Sequence, residues 1–138
     1  MGRIRTYREL EVYRRAFALQ QDVFQATREF PRDERYSLTS QIRDASRSIG
    51  ANIAEAWRKR RYPAHFVSKL TDADAEFAET EHWIHTAEAC GYVTQGQADA
   101  SGPMSHELVE CWVVWWIIPS SGARRARTVR PMLSAGCP

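Results

Sequence analysis

Two residues near the middle of the chain have the types and the spacing that could hold a metal ion. Glu79 and His82 form a Glu-x-x-His pair, which di-iron helical bundles use to place a carboxylate and an imidazole on one metal. Such a site needs a second pair and two further inward-facing glutamates, and the 138 residues contain no second pair. On a helical projection His82 also lies about 140° from the apolar line through Phe77. The pattern therefore favours a solvated acidic face over a metal site.

Other kinds of catalytic site lack their sequence signals as well. The cysteines Cys90, Cys111 and Cys137 have neither a metal-binding spacing nor the signature of an activated thiolate. No serine lies in the glycine context of a nucleophile elbow, and there is no glycine-rich phosphate loop or dinucleotide motif. We expect a non-enzymatic protein with no catalytic residue, no metal and no cofactor.

Cysteine content and hydropathy indicate a protein of the cytoplasm. The N-terminus is polar and basic and lacks the apolar core of a secretory signal. The apolar run at residues 112–118 is seven residues long, against roughly 20 for a membrane span. An odd number of cysteines indicates free thiols in a reducing compartment. We expect a cytoplasmic protein with no membrane contact.

Basic residues are concentrated in the first half of the chain. Residues 1–70 carry 15 Arg or Lys and 8 Asp or Glu, whereas residues 71–110 carry 9 acidic residues and no basic one. Oppositely charged helices could pair within a bundle or between subunits. Alternatively, arginine-rich outer faces bind an anionic polymer such as RNA or DNA. The candidate nucleic-acid-binding residues are Arg43, Arg47, Arg58, Lys59, Arg60 and Arg61, although cations at residues 58–61 also suit the negative end of a helix.

Helical periodicity explains how these side chains are positioned. Helices are predicted at residues 7–27, 38–59, 63–90 and, starting at Gln97 or Pro103, through Cys111. The second helix carries a narrow apolar line, within about 40° on a projection, formed by Leu38, Ile42, Ala45, Ile49, Ile53 and Ala56. The sequence predicts an all-α, up-and-down four-helix bundle. The bundle is expected over residues 1–118, followed by a basic, disordered tail over residues 119–138.

Local signals predict where the helices begin and end. Ser37 or Thr39 is expected to cap the second helix, Pro63 to begin the third and Gly91 to end it. Gly50 inside the second helix costs up to about 1 kcal/mol relative to alanine. A glycine at such a position indicates close helix approach, a kink or a binding surface.

The first helix carries two apolar stripes instead of one. They are Leu10, Tyr13, Phe17 and Phe24 and, roughly 100–160° around the helix, Val12, Ala16, Leu19 and Val23. A helix that lines only the core of a monomer needs one stripe. We expect this helix to contact neighbours on two sides, inside the bundle or across a subunit interface.

Three polar residues lie close to the apolar lines of the second and third helices. Asn52 and Glu55 are on the second helix, and Glu81 is on the third. They could form a ligand or backbone-recognition site. The favoured interpretation is a buried hydrogen-bonded network that fixes helix register.

Short motifs spread over about three quarters of the chain match one known family. They are Phe30-Pro31 with Glu34, Tyr36 and Leu38, Ser40-Gln41-Ile42-Arg43 with Ala45, Ser48-Ile49, Asn52-Ile53-Ala54-Glu55, Phe66 with Leu70, residues 75–81, and Gly91-Tyr92. From Arg5 to about Cys111 the chain resembles the 23S rRNA intervening-sequence proteins, which are four-helix bundles. The segment after Cys111 departs from the last helix of the family and resembles a shifted reading frame.

The resemblance implies a ring-shaped homo-oligomer, typically a pentamer, with no established catalysis. A related group, the accessory proteins of diversity-generating retroelements, forms basic pentamers that bind nucleic acid and a reverse transcriptase. Asp44 stands where the family commonly has a second basic residue. We expect a non-enzymatic homo-oligomer that binds RNA or DNA through arginine-rich surfaces. The alternative is a protein-interaction scaffold without nucleic-acid binding.

Overall fold

The computed structural model of the chain describes residues 4–100, and every regular element in that part is helical. The α-helices are α1 (Glu11–Thr27), α2 (Leu38–Lys59), α3 (Pro63–Ala89) and α4 (Gln95–Ala100), with 3-10 turns at Tyr7–Glu9 and Arg32–Glu34. The all-α fold is confirmed, and α2 has the predicted bounds. The fourth helix beyond Ala100, the domain limit at residue 118 and the tail at 119–138 lie outside the described residues.

The core is built around α2, which packs against both α1 and α3. Each of the six residues on its predicted apolar line is at most 5% exposed. On α3 the apolar residues Phe66, Leu70, Ala73 and Phe77 recur with the helical period and are buried, and Ile84 farther along the same helix is half-buried. Most buried side chains of α1, α2 and the middle of α3 form one cluster, and Ala56, Phe66 and Leu70 form a second cluster near the connection between α2 and α3. Burial of apolar area of this kind is the main contribution to the stability of the fold.

Neighbouring helices run antiparallel. Arg43, near the start of α2, contacts Thr27 at the end of α1, while Gly50, later in α2, lies against Tyr13 near the start of α1. Lys69, near the start of α3, contacts Asn52 in the second half of α2. The three long helices therefore have the predicted up-and-down arrangement.

The two stripes of α1 have different environments. Val12, Ala16, Leu19 and Val23 face the core and are at most 6% exposed. On the other stripe Leu10 is buried, Tyr13 and Phe24 are half-buried and Phe17 is 45% exposed. We call Tyr13, Phe17 and Phe24 the outer stripe. Within the described residues, the outer stripe lies on the surface of the subunit.

The first helix begins later than predicted, at Glu11 instead of Tyr7. Residues Tyr7–Glu9 form a 3-10 turn that the Thr6 side chain caps by accepting from the backbone N–H of Arg8. Leu10 then has an extended backbone, with φ −68° and ψ 129°, and its side chain is 3% exposed. The four residues from Tyr7 to Leu10 are therefore outside regular α-helix, and the Leu10 side chain lies in the core cluster.

The cap of α2 differs from the prediction. Neither Ser37 nor Thr39 caps the helix with its side chain; instead Glu34 accepts from the Leu38 N–H at 3.3 Å and from the Ser37 hydroxyl at 2.6 Å. The longer carboxylate side chain reaches the first turn from the preceding 3-10 turn. The Thr39 hydroxyl is buried without a hydrogen-bond partner in the described part of the chain. The predicted ends of α3 are confirmed, with Pro63 in the first turn and Gly91 at φ 77°.

Candidate nucleic-acid interface

Arg43 is the candidate cation that is most involved in the fold. Its Nε donates to the Thr27 hydroxyl at 2.7 Å, and its guanidinium lies 4.9 Å from the centroid of the Phe24 ring. Burial lowers the pKa of Arg43, and the charges of Arg47 and Arg28 lower it further, although an arginine keeps its charge at neutral pH. The half-buried side chain therefore joins α1 to α2, and it is not the freely presented outer cation that the helical projection predicts.

Arg47 lies one turn later and is exposed. Its guanidinium is 5.9 Å from the centroid of the same Phe24 ring, so two cations flank one aromatic side chain. We call Arg28, Arg43 and Arg47 the side surface. Asp44, between them in sequence, is also exposed and reduces the positive charge there.

The basic run at the end of α2 divides into two parts. Arg60 is half-buried, donates from Nη1 to the Trp57 carbonyl at 2.7 Å and stacks 4.2 Å from the centroid of the Trp57 ring. The same carbonyl also accepts from the Arg60 backbone N–H at 3.4 Å, so Arg60 closes the last turn of α2 with both its backbone and its side chain. Arg58, Lys59 and Arg61 are exposed. We call these three residues the connection surface, because they lie at the connection between α2 and α3.

The candidate cations are not brought together into one site. Arg47 and Arg58 are separated by 11 residues of one continuous helix, which corresponds to about 16 Å along its axis. The side surface and the connection surface are therefore two separate regions. A ligand that touches both must be an extended polymer.

The polar network forms around a residue that the sequence analysis did not single out. Lys69 Nζ lies 3.0 Å from Glu55 Oε2, 3.4 Å from Asp72 Oδ2 and 3.4 Å from Asn52 Oδ1. The hydrogen bond to Glu55 raises the pKa of Lys69 above its ordinary value, and Asp72 adds to the effect. Asn52 and Glu55 are thus in contact with α3, but the network is not the buried one that the sequence favours, because the side chains of Glu55 and Asp72 are each 53% exposed.

The prediction that Glu81 belongs to this network is wrong. Glu81 is exposed, and it lies 12 residues beyond Lys69 on α3, about 18 Å away along the helix axis. In an antiparallel pair with a short connection, residues near the start of α3 face the end of α2. The sequence does contain a signal for the partner of Asn52 and Glu55. Lys69 is an isolated cation, the only Lys or Arg between Tyr62 and Arg124.

Comparison with models of known protein families identifies the family of this chain. The family model described as 23S rRNA-intervening sequence protein matches residues 8–111, which are 104 of the 138 residues. The chain belongs to the 23S rRNA-intervening sequence protein family. The match ends at Cys111, where the resemblance in sequence also ends. No curated protein matches the chain.

The Glu-x-x-His pair of this family member is used in local contacts. Glu79 Oε1 accepts from the Trp83 indole N–H at 3.1 Å, and the exposed His82 ring lies 4.7 Å from the Trp83 ring. Nearby, burial raises the pKa of Glu76, and the charges of Glu79 and Asp72 raise it further. Residues 4–100 contain no group of three or more potential ligands arranged to hold a metal ion.

A cleft of about 500 Å³ lies between α1, α3 and α4. It is lined mainly by apolar side chains, among them Val23, Ile42 and Ile84. Of the lining residues that the structure describes, only Asp22 is charged. None of the arginines or lysines of the side surface and the connection surface lines the cleft, although Thr27, the partner of Arg43, does. Among the helices of residues 4–100, none is long and apolar enough to cross a bilayer.

Proposed function

We propose that this protein is a non-enzymatic, cytoplasmic homo-oligomer that binds RNA or DNA through arginine-rich surfaces. The observation that carries the proposal is the exposed connection surface, formed by Arg58, Lys59 and Arg61. Residues 56–68 contain four cations and no acidic residue, and the neighbouring Glu55 is paired with Lys69 at 3.0 Å, so the positive charge of this segment is not offset locally. The exposed free thiol of Cys90 is compatible with a reducing cytoplasm.

Binding through these groups is electrostatic and sensitive to salt. Exposed guanidinium and ammonium groups contact phosphate oxygens and release the counterions condensed on the nucleic acid. Each contact contributes a slope of about 0.7 for a single strand, or about 0.9 for a duplex, to the fall of log K with log salt. Three contacts therefore correspond to a slope of about 2–3 per protomer, and an oligomer multiplies the number of contacts.

Self-association is supported by the outer stripe of α1 and by the distribution of charge. Phe17 is 45% exposed and its ring stacks on that of the half-buried Tyr13, with 6.3 Å between the centroids, and contiguous exposed apolar surface is typical of an interface. Residues 71–81 of α3 carry five carboxylates and no cation, whereas the side surface carries three arginines. A contact between the side surface of one copy and α3 of the next is heterologous, and such contacts form a ring when the rotation between copies closes.

The experiment measures the binding of labelled RNA and duplex DNA by fluorescence anisotropy over a series of salt concentrations. The test variant combines Arg58→Gln, Lys59→Gln and Arg61→Gln. The matched control, with the same loss of charge, combines Arg15→Gln, Arg32→Gln and Arg35→Gln. Arg15 is paired with Glu11 at 3.1 Å, and the other two control sites are interleaved with Asp33 and Glu34.

We expect the test variant to lose affinity at low salt and to reduce the salt slope by about 2–3, while the control stays close to wild type. Equal losses in both variants would show that only net charge matters. Affinity that is absent, or that does not change between low and physiological salt, would remove the proposal.

A protein-interaction scaffold is the second candidate, and the 45% exposed Phe17 on the outer stripe supports it, because binding of phosphates does not use an apolar ring. Arg43 already contacts Thr27 within the subunit, so it is left unchanged in the test. Arg47→Gln combined with Arg58→Gln separates the two functions, because Arg43 stays in place. Loss of the oligomer, measured by light scattering, would favour the scaffold. An intact oligomer with weakened nucleic-acid binding would favour the first proposal.

A further inference from the structure

Tyr62 is a large aromatic side chain held in solvent at the connection between α2 and α3. It is 66% exposed, and its ring lies 5.8 Å from the His65 ring at an interplanar angle of 42°. Its backbone is held on both sides, since its N–H donates to the Lys59 carbonyl at 2.9 Å and its own carbonyl accepts from Phe66 at 3.0 Å. Pro63 follows at the first position of α3 and restricts the backbone further. The ring therefore projects from a fixed point.

The charge around Tyr62 differs from the charge around Tyr36, the other exposed tyrosine. Tyr36 is 87% exposed and lies against Arg35, whose guanidinium is 5.7 Å from the ring centroid. Residues 28–36 around it contain three arginines and three acidic residues, so their charges cancel. Around Tyr62, residues 56–68 contain four cations and no acid. Of these two exposed tyrosines, only Tyr62 combines an aromatic face with a strong positive potential.

An aromatic face among cations matches the chemistry of an unpaired nucleic-acid strand. Proteins that bind single strands combine cations that follow the phosphates with aromatic rings on which bases stack. The bases of a duplex are stacked on each other inside the helix and present no free face to a side chain. Duplex binding therefore uses the phosphates alone and gains nothing from the Tyr62 ring.

We propose that Tyr62 and the connection surface bind a single-stranded segment of RNA or DNA, with a base stacked on the Tyr62 ring. This inference rests on the proposed function and names its substrate class. Arg58, Lys59 and Arg61 contact the phosphates on either side of the stacked base, and His65 supports the ring.

The test uses the full chain and three labelled probes: oligo(rU), oligo(dT) and a mixed-sequence DNA duplex. Binding is measured by anisotropy for wild type, Tyr62→Ala, Tyr62→Phe and the matched control Tyr36→Ala, with circular dichroism to check folding. We expect Tyr62→Ala to weaken binding of both single strands about tenfold, the typical value of one stacked base, and to leave duplex binding unchanged. Tyr62→Phe should keep wild-type affinity because it retains the ring, and Tyr36→Ala should have no effect.

Several outcomes would overturn the inference. One is single-strand affinity that is the same in wild type and Tyr62→Ala, and another is an equal loss for strand and duplex. In either case the role of Tyr62 is wrong, but the proposed function stands if salt-dependent binding persists and still needs Arg58, Lys59 and Arg61. If wild type binds none of the three probes, both proposals are wrong.

Discussion

The hydroxyl of Tyr92 donates a hydrogen bond of 3.1 Å to Glu34, a residue 58 positions earlier in the chain. The Tyr92 ring also lies 5.4 Å from the Phe30 ring. Because Glu34 simultaneously accepts from Ser37 and from the Leu38 N–H, one carboxylate caps α2 and anchors the segment that follows α3. The three hydrogen bonds, with that from Ser37 first, lower the pKa of Glu34 below its ordinary value of 4.5.

This arrangement predicts a loss of stability in acid. A carboxyl group whose pKa is lowered by folding stabilises the folded state fully above its unfolded pKa, and the stabilisation disappears as the pH falls through the folded value. Wild type should therefore exceed Glu34→Gln in stability at pH 6, and the difference should shrink as the pH falls below 4.5. Urea unfolding at a series of pH values measures it. Glu29→Gln, an exposed neighbour, serves as the control, and a difference that stays constant with pH would contradict the prediction.

The bond between Arg43 and Thr27 predicts unequal effects at two neighbouring arginines. Arg43→Ala leaves the buried Thr27 hydroxyl, which is in a residue 3% exposed, without its charged donor. We expect a loss of about 1–3 kcal/mol in the free energy of unfolding. Arg47→Ala removes an exposed side chain and should change it by less than about 0.5 kcal/mol. Urea denaturation of the two variants checks the comparison, and equal losses would show that the Arg43 contact does not stabilise the fold.

Gly50→Ala should stabilise the protein. A Cβ at this buried position would lie 3.6 Å from Tyr13 Cε2, an ordinary van der Waals contact. The substitution therefore gains helix propensity without a clash, about 0.5–1 kcal/mol. The reverse change at the adjacent exposed position, Ala51→Gly, should cost a similar amount. Thermal unfolding of both variants measures the two effects, and a destabilised Gly50→Ala would indicate that the glycine is needed for close approach of α1.

Phe17→Glu should weaken self-association while leaving the subunit folded. The substitution places a charge on the outer stripe, where an apolar contact between copies would have to bury it. Tyr36→Glu is the control, because Tyr36 is even more exposed, at 87%, and lies away from that stripe. Light scattering coupled to size exclusion gives the molar mass of each variant. An unchanged oligomer in Phe17→Glu would exclude the outer stripe as the interface.

The sequence alone determined the bounds of α2, the ends of α3, the core line of α2 and the family. The branched apolar residues from Leu38 to Ala56 recur with the helical period, so their burial follows from local chemistry. Pro63 and Gly91 mark the ends of α3 through their own backbone preferences. These signals lie within single elements and need no knowledge of how the elements pack.

Only the tertiary structure decided which of several equivalent helix faces is buried and which side chains make contacts between helices. Both stripes of α1 have the correct period, but packing against α2 buries the stripe through Ala16 and leaves Phe17 exposed. Likewise, Arg43 and Arg47 share one face of α2, yet only Arg43 reaches Thr27. The antiparallel register brings Lys69, not Glu81, to Asn52. Periodicity gives the angle of a side chain around its own helix, whereas its partner depends on the position and direction of the neighbouring helix.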